Sequence, residues 1–265
     1  MEPLVSVLAL AVGLVVGSFL NVCIYRLPLG ESVVHPRSRC PKCGTPVRAW
    51  QNVPVLSWLI LRGRCAGCAA PIAWRYPAVE TLTGLLAVAL WKGLGPSWAF
   101  AIAAAFTPMM IVLFFTDYDH QLLPDLVTLP GFGLGLALAW VNPFLGDPGW
   151  PRIVASFTGA ALGAGILWGI GALYSRLRGV EAMGFGDVKM MALVGAFTGP
   201  AGVAVTLFAA SVAGAIVGLA LIPLKGKTLQ NTLPFGCFLA PAALFALLWG
   251  RRAVAAYLGV LHLGG

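Results

Sequence analysis

Charged side chains are scarce in this sequence. Only 10% of its 265 residues are Asp, Glu, Lys or Arg, and just nine are acidic, whereas soluble domains carry about 25%. With 59% hydrophobic residues and a mean hydropathy of +0.90, this scarcity excludes an ordinary soluble domain and makes the bilayer the main solvent. Several enzyme signatures are missing too. No His-Glu-x-x-His pair would set a catalytic metal on a helix, no Gly-x-Ser-x-Gly elbow would present a serine nucleophile, and no strand-linked Gly-rich fingerprint marks a Rossmann domain.

What fills the sequence instead is a series of apolar runs. A membrane helix needs about 20 mainly apolar residues, and eight candidates occupy residues 4–25, 77–94, 98–116, 122–141, 153–174, 188–199, 201–224 and 235–249. The predicted fold is therefore an all-α polytopic membrane protein of about eight transmembrane helices. The first run lacks the basic start of a signal peptide and reads as a retained helix. The sixth is short and Gly-rich at its start, which suggests a broken or water-lined helix. Three regions follow: helix 1 over 1–25, a polar insert over 26–75, and a helical core over 76–265.

Loop charges orient the chain. Arg26, Arg37, Arg39, Lys42, Arg48, Arg62, Arg64 and Arg75 cluster in the insert, and Arg176, Arg178, Lys225 and Lys227 fall on the same side. That side is expected to be cytoplasmic, although Arg251 and Arg252 break the pattern. The net charge of +8 follows loop topology and can attract anionic lipid, so no nucleic-acid partner is expected.

Four of the six cysteines form two pairs, Cys40 with Cys43 and Cys65 with Cys68. This spacing predicts a closed four-thiolate zinc site, with Gly44 and Gly67 allowing the turns. A filled tetrahedral shell leaves no position for substrate, so the metal would be structural. Disulfides are the competing reading, and a reducing compartment argues against them. A metal staple also suits an insert too small for a core of its own. Cys23 and Cys237 stand singly in apolar runs and read as small buried hydrophobes.

The nine acids are distributed unevenly. Asp117, Asp119 and Asp125 share one short stretch, and Asp187 follows Gly184-Phe185-Gly186. Asp125, after Pro124 at a helix start, could cap that helix as readily as act in catalysis. Asp119 is read as lying in a solvated turn, and His120 as a hydrated boundary residue. Asp117 is placed at a helix C-terminus, where the dipole disfavours an anion, so it lacks a structural reason. Asp187 could be an N-cap, but its Gly-x-Gly approach allows close backbone contact with an extended peptide, and Lys189 is two residues on. The predicted topology puts Asp117 and Asp187 at one membrane face. Two carboxylates sharing a site hold one proton between them, which provides the acid and base that peptide hydrolysis requires.

These residues together resemble the bacterial prepilin peptidases, or type IV leader peptidases, of the Gly-x-Gly-Asp class of membrane aspartyl proteases. The resemblance covers nearly the whole chain: residues 17–28 with Asn21, Arg26 and Pro28; the two Cys pairs with Asn52, Pro54, Trp58 and Gly63 between them; Arg75 to Glu80; the stretch from Asp117 to Asp125; and Gly184 to Lys189. It implies a catalytic dyad of Asp117 and Asp187, supported by Gly184, Gly186, Lys189 and Asp125. It implies removal of a short basic leader from type IV prepilins or type II secretion pseudopilins at the cytoplasmic face of the inner membrane. It also implies methylation of the new N terminus with S-adenosylmethionine, with Gly63 matching a glycine associated with methyl transfer, although a plain turn glycine would fit there equally. Two other classes compete: a small transporter whose Asp117, Asp125 and Asp187 line a cation path, and an assembly protein with a dead site.

Overall fold

The computed structural model describes residues 2–179, 184–225 and 234–262. Among these the protein is all-helical, with two isolated β-bridges and no strand. Eight α-helices follow in order: α1 Glu2–Arg26, α2 Leu56–Ile60, α3 Arg75–Leu94, α4 Trp98–His120, α5 Asp125–Ala137, α6 Trp150–Arg178, α7 Phe185–Lys225 and α8 Gly236–His262. Among the described residues five helices are long and apolar enough to cross a membrane, those beginning at Glu2, Trp98, Trp150, Phe185 and Gly236, while Asp125–Ala137 is a shorter apolar helix. Two compact units divide the chain, 1–100 and 101–265.

In the first unit α1 and α3 run antiparallel at backbone contact. A Cβ on Gly13 would lie 2.8 Å from the Gly84 Cα, and one on Gly17 would lie 2.7 Å from the Glu80 Cα. The spacing of Gly13 and Gly17 is the small-xxx-small pattern that lets membrane helices approach closely. Further along, Asn21 Nδ2 donates to the Tyr76 carbonyl at 3.1 Å. At the end of α1, Arg26 is buried and its guanidinium donates to the carbonyls of Ser32 and Pro36, both at 2.8 Å.

The second unit is built around the first half of α7. There Met190, Met191, Leu193, Val194, Ala196 and Phe197 are fully buried. Gly159 and Gly163 of α6 face Gly195 and Met191 of α7 so closely that a Cβ on either would strike backbone carbonyl oxygen. On another side of α7, Gly131 and Gly135 of α5 leave room for Leu193, Ala196 and Phe197. Lipid tails are as apolar as leucine, so association comes from such close packing rather than from expelled water.

The sixth and seventh candidate runs form the two halves of α7, which breaks sharply at Gly199, where φ is 68° and ψ is −176°. Pro200 cannot donate to the Ala196 carbonyl, and Ser156 Oγ donates to it instead at 2.7 Å. Asn142 Nδ2 donates to the neighbouring Phe197 carbonyl at 2.9 Å. The chain reverses at this break. Gly186 and Gly236 both pack on Leu123, and Phe238 packs on Gly214, whereas a straight α7 would separate Gly186 from Gly214 by about 42 Å.

Other boundaries shift from expectation. Asp119 lies in the last turn of α4 rather than in a free turn, because the helix continues to His120. Arg251 and Arg252 lie inside α8, which runs on to His262 beyond the expected end at 249. Lys227 lies outside the described residues.

Gly163 and Gly165, two residues apart on α6, should respond oppositely to alanine. A Cβ at Gly163 meets the Met191 carbonyl, whereas one at Gly165 meets nothing within 4 Å. Gly163→Ala should cost about 1–3 kcal/mol, and Gly165→Ala should gain about 0.5 kcal/mol through helix propensity. Thermal unfolding of both purified variants checks this, and equal midpoints would count against the packing.

Candidate active site

The acidic residues converge where several helices begin and end. Asp117 in the last turn of α4 is buried, at 5% exposure. Its Oδ2 accepts the backbone N–H of Cys237 at 3.0 Å, in the first turn of α8. The unfavourable C-terminal dipole of its own helix is thus opposed by the positive N-terminal end of another. Gly236 makes this approach possible, since a Cβ there would lie 2.8 Å from Asp117 Oδ2. No local pattern in the sequence marks Gly236 as a site residue, and Cys237 in its apolar run reads as a plain hydrophobe. Cys237 is indeed buried, and its thiol donates to the Phe114 carbonyl at 3.4 Å, but its backbone is what reaches the carboxylate.

Asp187 lies in the first turn of α7, where its N–H donates to the Gly184 carbonyl at 3.1 Å. Gly186, just before it, faces Leu123, which a Cβ would meet at 3.1 Å. Leu123 is buried, and it wedges between the beginnings of α7 and α8. Among the described residues, a Cβ on Gly184 would meet only the Gly186 nitrogen, at 4.0 Å.

Asp125 opens α5 without capping it, for no side chain caps that helix. Its carboxylate instead receives Lys189 Nζ at both oxygens, at 2.7 and 2.8 Å. Lys189 also stands 5.3 Å from the centre of the Phe185 ring. This pair ties the start of α5 to the first turns of α7. With the Asp125 side chain 56% exposed, its net contribution is that of a surface ion pair, under about 1 kcal/mol.

Asp117, Asp187, Asp125, Lys189, Gly184 and Gly186 all line one cavity of about 250 Å3, together with residues 121–123. Asp119 and His120 are not among its lining residues. The cavity wall thus holds three carboxylates, one of them paired with the Lys189 ammonium, which leaves those of Asp117 and Asp187 for acid–base chemistry.

In the first unit the four cysteines form a second site. Sγ of Cys40 and Cys68 are 3.9 Å apart, as are those of Cys43 and Cys65, and all four lie within 4.8 Å of one another. A tetrahedron of thiolates at about 2.3 Å from a metal has edges of about 3.8 Å, so the residues fit a metal ion. The pairs are two copies of one turn. Cys40 N–H donates to the Thr45 carbonyl at 2.9 Å, and Cys65 N–H to the Ala70 carbonyl at 2.8 Å. Bridges Arg39 to Pro46 and Arg64 to Pro71 flank them.

The left-handed residue is Gly44 in the first copy but Ala69, at φ 56°, in the second. Gly67 therefore does not make the turn as expected. It leaves room for Thr45, whose Oγ1 a Cβ would meet at 2.8 Å. Thr45, through its hydroxyl and then its backbone, brings the Cys43 thiol down to about 6. Although the Ala70 N–H lowers it, crowding by Cys43 and the other thiols leaves Cys68 up at about 11. Four thiols so close lose all their protons together only around a cation.

Gly63 has φ +67°, and a Cβ on it would lie 2.9 Å from Cζ2 of Trp58, whose indole donates to the Ile72 carbonyl at 3.2 Å.

A buried carboxylate and a second one face the same cavity, in a chain whose long apolar helices put it in the class of helical membrane proteins. Known proteins narrow the class. The model of the bacterial peptidase A24 N-terminal domain matches residues 11–93, and that of the type IV leader peptidase family matches residues 104–219. The chain is 39% identical to the "Prepilin leader peptidase/N-methyltransferase" of Aeromonas hydrophila, over 92% of this chain and 91% of that protein. It is 38% identical to the protein of the same description from Stutzerimonas stutzeri, over 97% and 95%, and 41% identical to that from Myxococcus xanthus, over 87% and 67%. No solved structure matches. This chain belongs to the type IV leader peptidase family.

The thiol geometry predicts close to one metal ion per chain after purification without added metal. Cys40→Ser combined with Cys65→Ser should reduce that content to near zero by elemental analysis, with the insert becoming sensitive to protease.

Proposed function

We propose that this chain is a membrane aspartyl endopeptidase that cleaves the leader of type IV prepilins or type II secretion pseudopilins, and then methylates the new N terminus. The observation that carries the hydrolytic half is the single cavity faced by both Asp117 and Asp187.

Asp117 serves as the base. Its Oδ2 is engaged by the Cys237 N–H, which leaves Oδ1 to accept a proton from water while that water attacks the scissile carbonyl carbon. Asp187, protonated, gives its proton to the carbonyl oxygen, so that a neutral gem-diol forms. As the C–N bond breaks, Asp117 passes its new proton to the leaving amine and Asp187 recovers one from a gem-diol hydroxyl. The dyad ends as it began. Gly184 leaves space for an extended peptide beside Asp187, Gly186 lets the start of α7 seat against Leu123, and the Asp125–Lys189 pair positions the first turns of α7.

Eight crossing segments fit this reading, with α3 and α5 added to the five long helices and the two halves of α7 counted separately. In this reading the chain lies in the bacterial inner membrane, and the basic loops support an orientation with the insert and the dyad facing the cytoplasm. Residues 26–75 serve methyl transfer and residues 76–265 hydrolysis. The insert's metal is structural zinc, a soft, redox-inert ion suited to four thiolates; it supplies a fixed fold and no chemistry. S-adenosylmethionine supplies the methyl group. Gly63 fits a packing role under Trp58, so its part in methyl transfer runs through the fold of the insert rather than through contact with the donor.

Asp117→Asn and Asp187→Asn should each abolish leader cleavage of a co-expressed prepilin while leaving thermal unfolding nearly unchanged. Normal processing by both variants would remove the dyad. Methylation is read separately: the mature N terminus should gain the mass of one methyl group only when S-adenosylmethionine is present, and an unmethylated product in its presence would limit the chain to hydrolysis.

A further inference from the structure

The short helix α2 is inside out for a water-soluble insert. Leu56, Leu59 and Ile60, at positions i, i+3 and i+4 on one face, are 58%, 57% and 70% exposed, while Ser57 is buried. An apolar face turned outward in this way marks an interaction surface rather than a core. Its place in the fold says what covers it. The backbone N–H of Val55, immediately before α2, donates to Glu80 Oε2 at 2.7 Å, and Glu80 is itself buried in α3.

Glu80 lies level with Gly17 of α1, since a Cβ on Gly17 would nearly touch the Glu80 Cα. Gly17 is well inside the membrane-crossing span that begins at Glu2, nine residues or about 14 Å along the helix from Arg26. The hydrogen bond therefore draws the segment before α2 back along the membrane helices, below the level at which the chain left them. Val55 adopts φ 60° to do so, a conformation costly for a β-branched residue. The rest of the insert is suited to a membrane surface: between Leu27 and Trp74 it carries six Lys and Arg against one acid, Glu31. Trp50 and Trp74 are exposed beside this basic stretch, as aromatic residues are at bilayer boundaries.

We infer that α2 is a re-entrant, lipid-facing element, with Leu56, Leu59 and Ile60 seated in the acyl boundary of the bilayer and the Glu80–Val55 hydrogen bond as its tether. The insert is thus moored flat on the membrane rather than projecting from it.

The test uses the full chain in vesicles of phosphatidylcholine and phosphatidylglycerol, with a benzophenone amino acid replacing Leu59, Ile60 or, as a control on a knuckle, Lys42. Irradiation should give lipid adducts at positions 59 and 60, several-fold above position 42, as read by mass spectrometry. No lipid adduct at either position, or cross-links to a second copy of the chain in their place, would overturn the inference. Glu80→Ala should lower the adduct yield at position 60 several-fold while the metal content of the insert stays unchanged. An undiminished yield would overturn the tether.

Discussion

Backbone contact between α6 and the first half of α7 is the constraint on which the second unit depends. In a bilayer the helices gain nothing by hiding apolar surface from water, so their association needs short distances, and short distances need glycine. Gly159, Gly163 and Gly195 provide them. Once this pair is fixed, the break at Gly199 becomes tolerable, because Ser156 and Asn142 from neighbouring segments take the carbonyls that Pro200 and the reversed chain leave without helical donors. Irregular backbone at depth survives where protein covers it. The reversal then brings the second half of α7, and α8 beside it, back toward the end from which α7 began.

That return explains the electrostatics of the cavity. A carboxylate at the C-terminal end of α4 would be poorly placed in isolation, but the first turn of α8 arrives beside it and supplies both a backbone donor and the favourable end of a dipole. The ion pair of Asp125 and Lys189 links α5 with α7 in the same region. Leu123 fills the space between the beginnings of α7 and α8, so one apolar side chain sets the spacing of the two helix starts around the carboxylates.

The insert solves a different problem with two means. Its two cysteine turns repeat a single hydrogen-bonding pattern, and their four thiols share one small volume. The segment between the turns is fastened to α3 through Glu80 and Val55. A region with little core is thus held from within by a ligand cluster and from below by a buried carboxylate, and Trp58 packed on Gly63 joins the two.

By itself the sequence determined the helical membrane class, the break near Gly199, the pairing of the cysteines into one cluster and the scarcity of acids that singles out Asp117 and Asp187. Each of these rests on composition or on spacing within one segment, where helix geometry and ligand spacing act locally. Tertiary structure alone decided the rest. Gly236 and Cys237 became neighbours of Asp117 across about 120 residues, Asp125 found Lys189 across 64, and Gly67 makes room for Thr45 while the left-handed position, equivalent to Gly44, falls to Ala69. No local pattern encodes such partners. They follow from which helix ends the glycine contacts and the reversal at Gly199 bring to one level, and only the packed chain fixes that level.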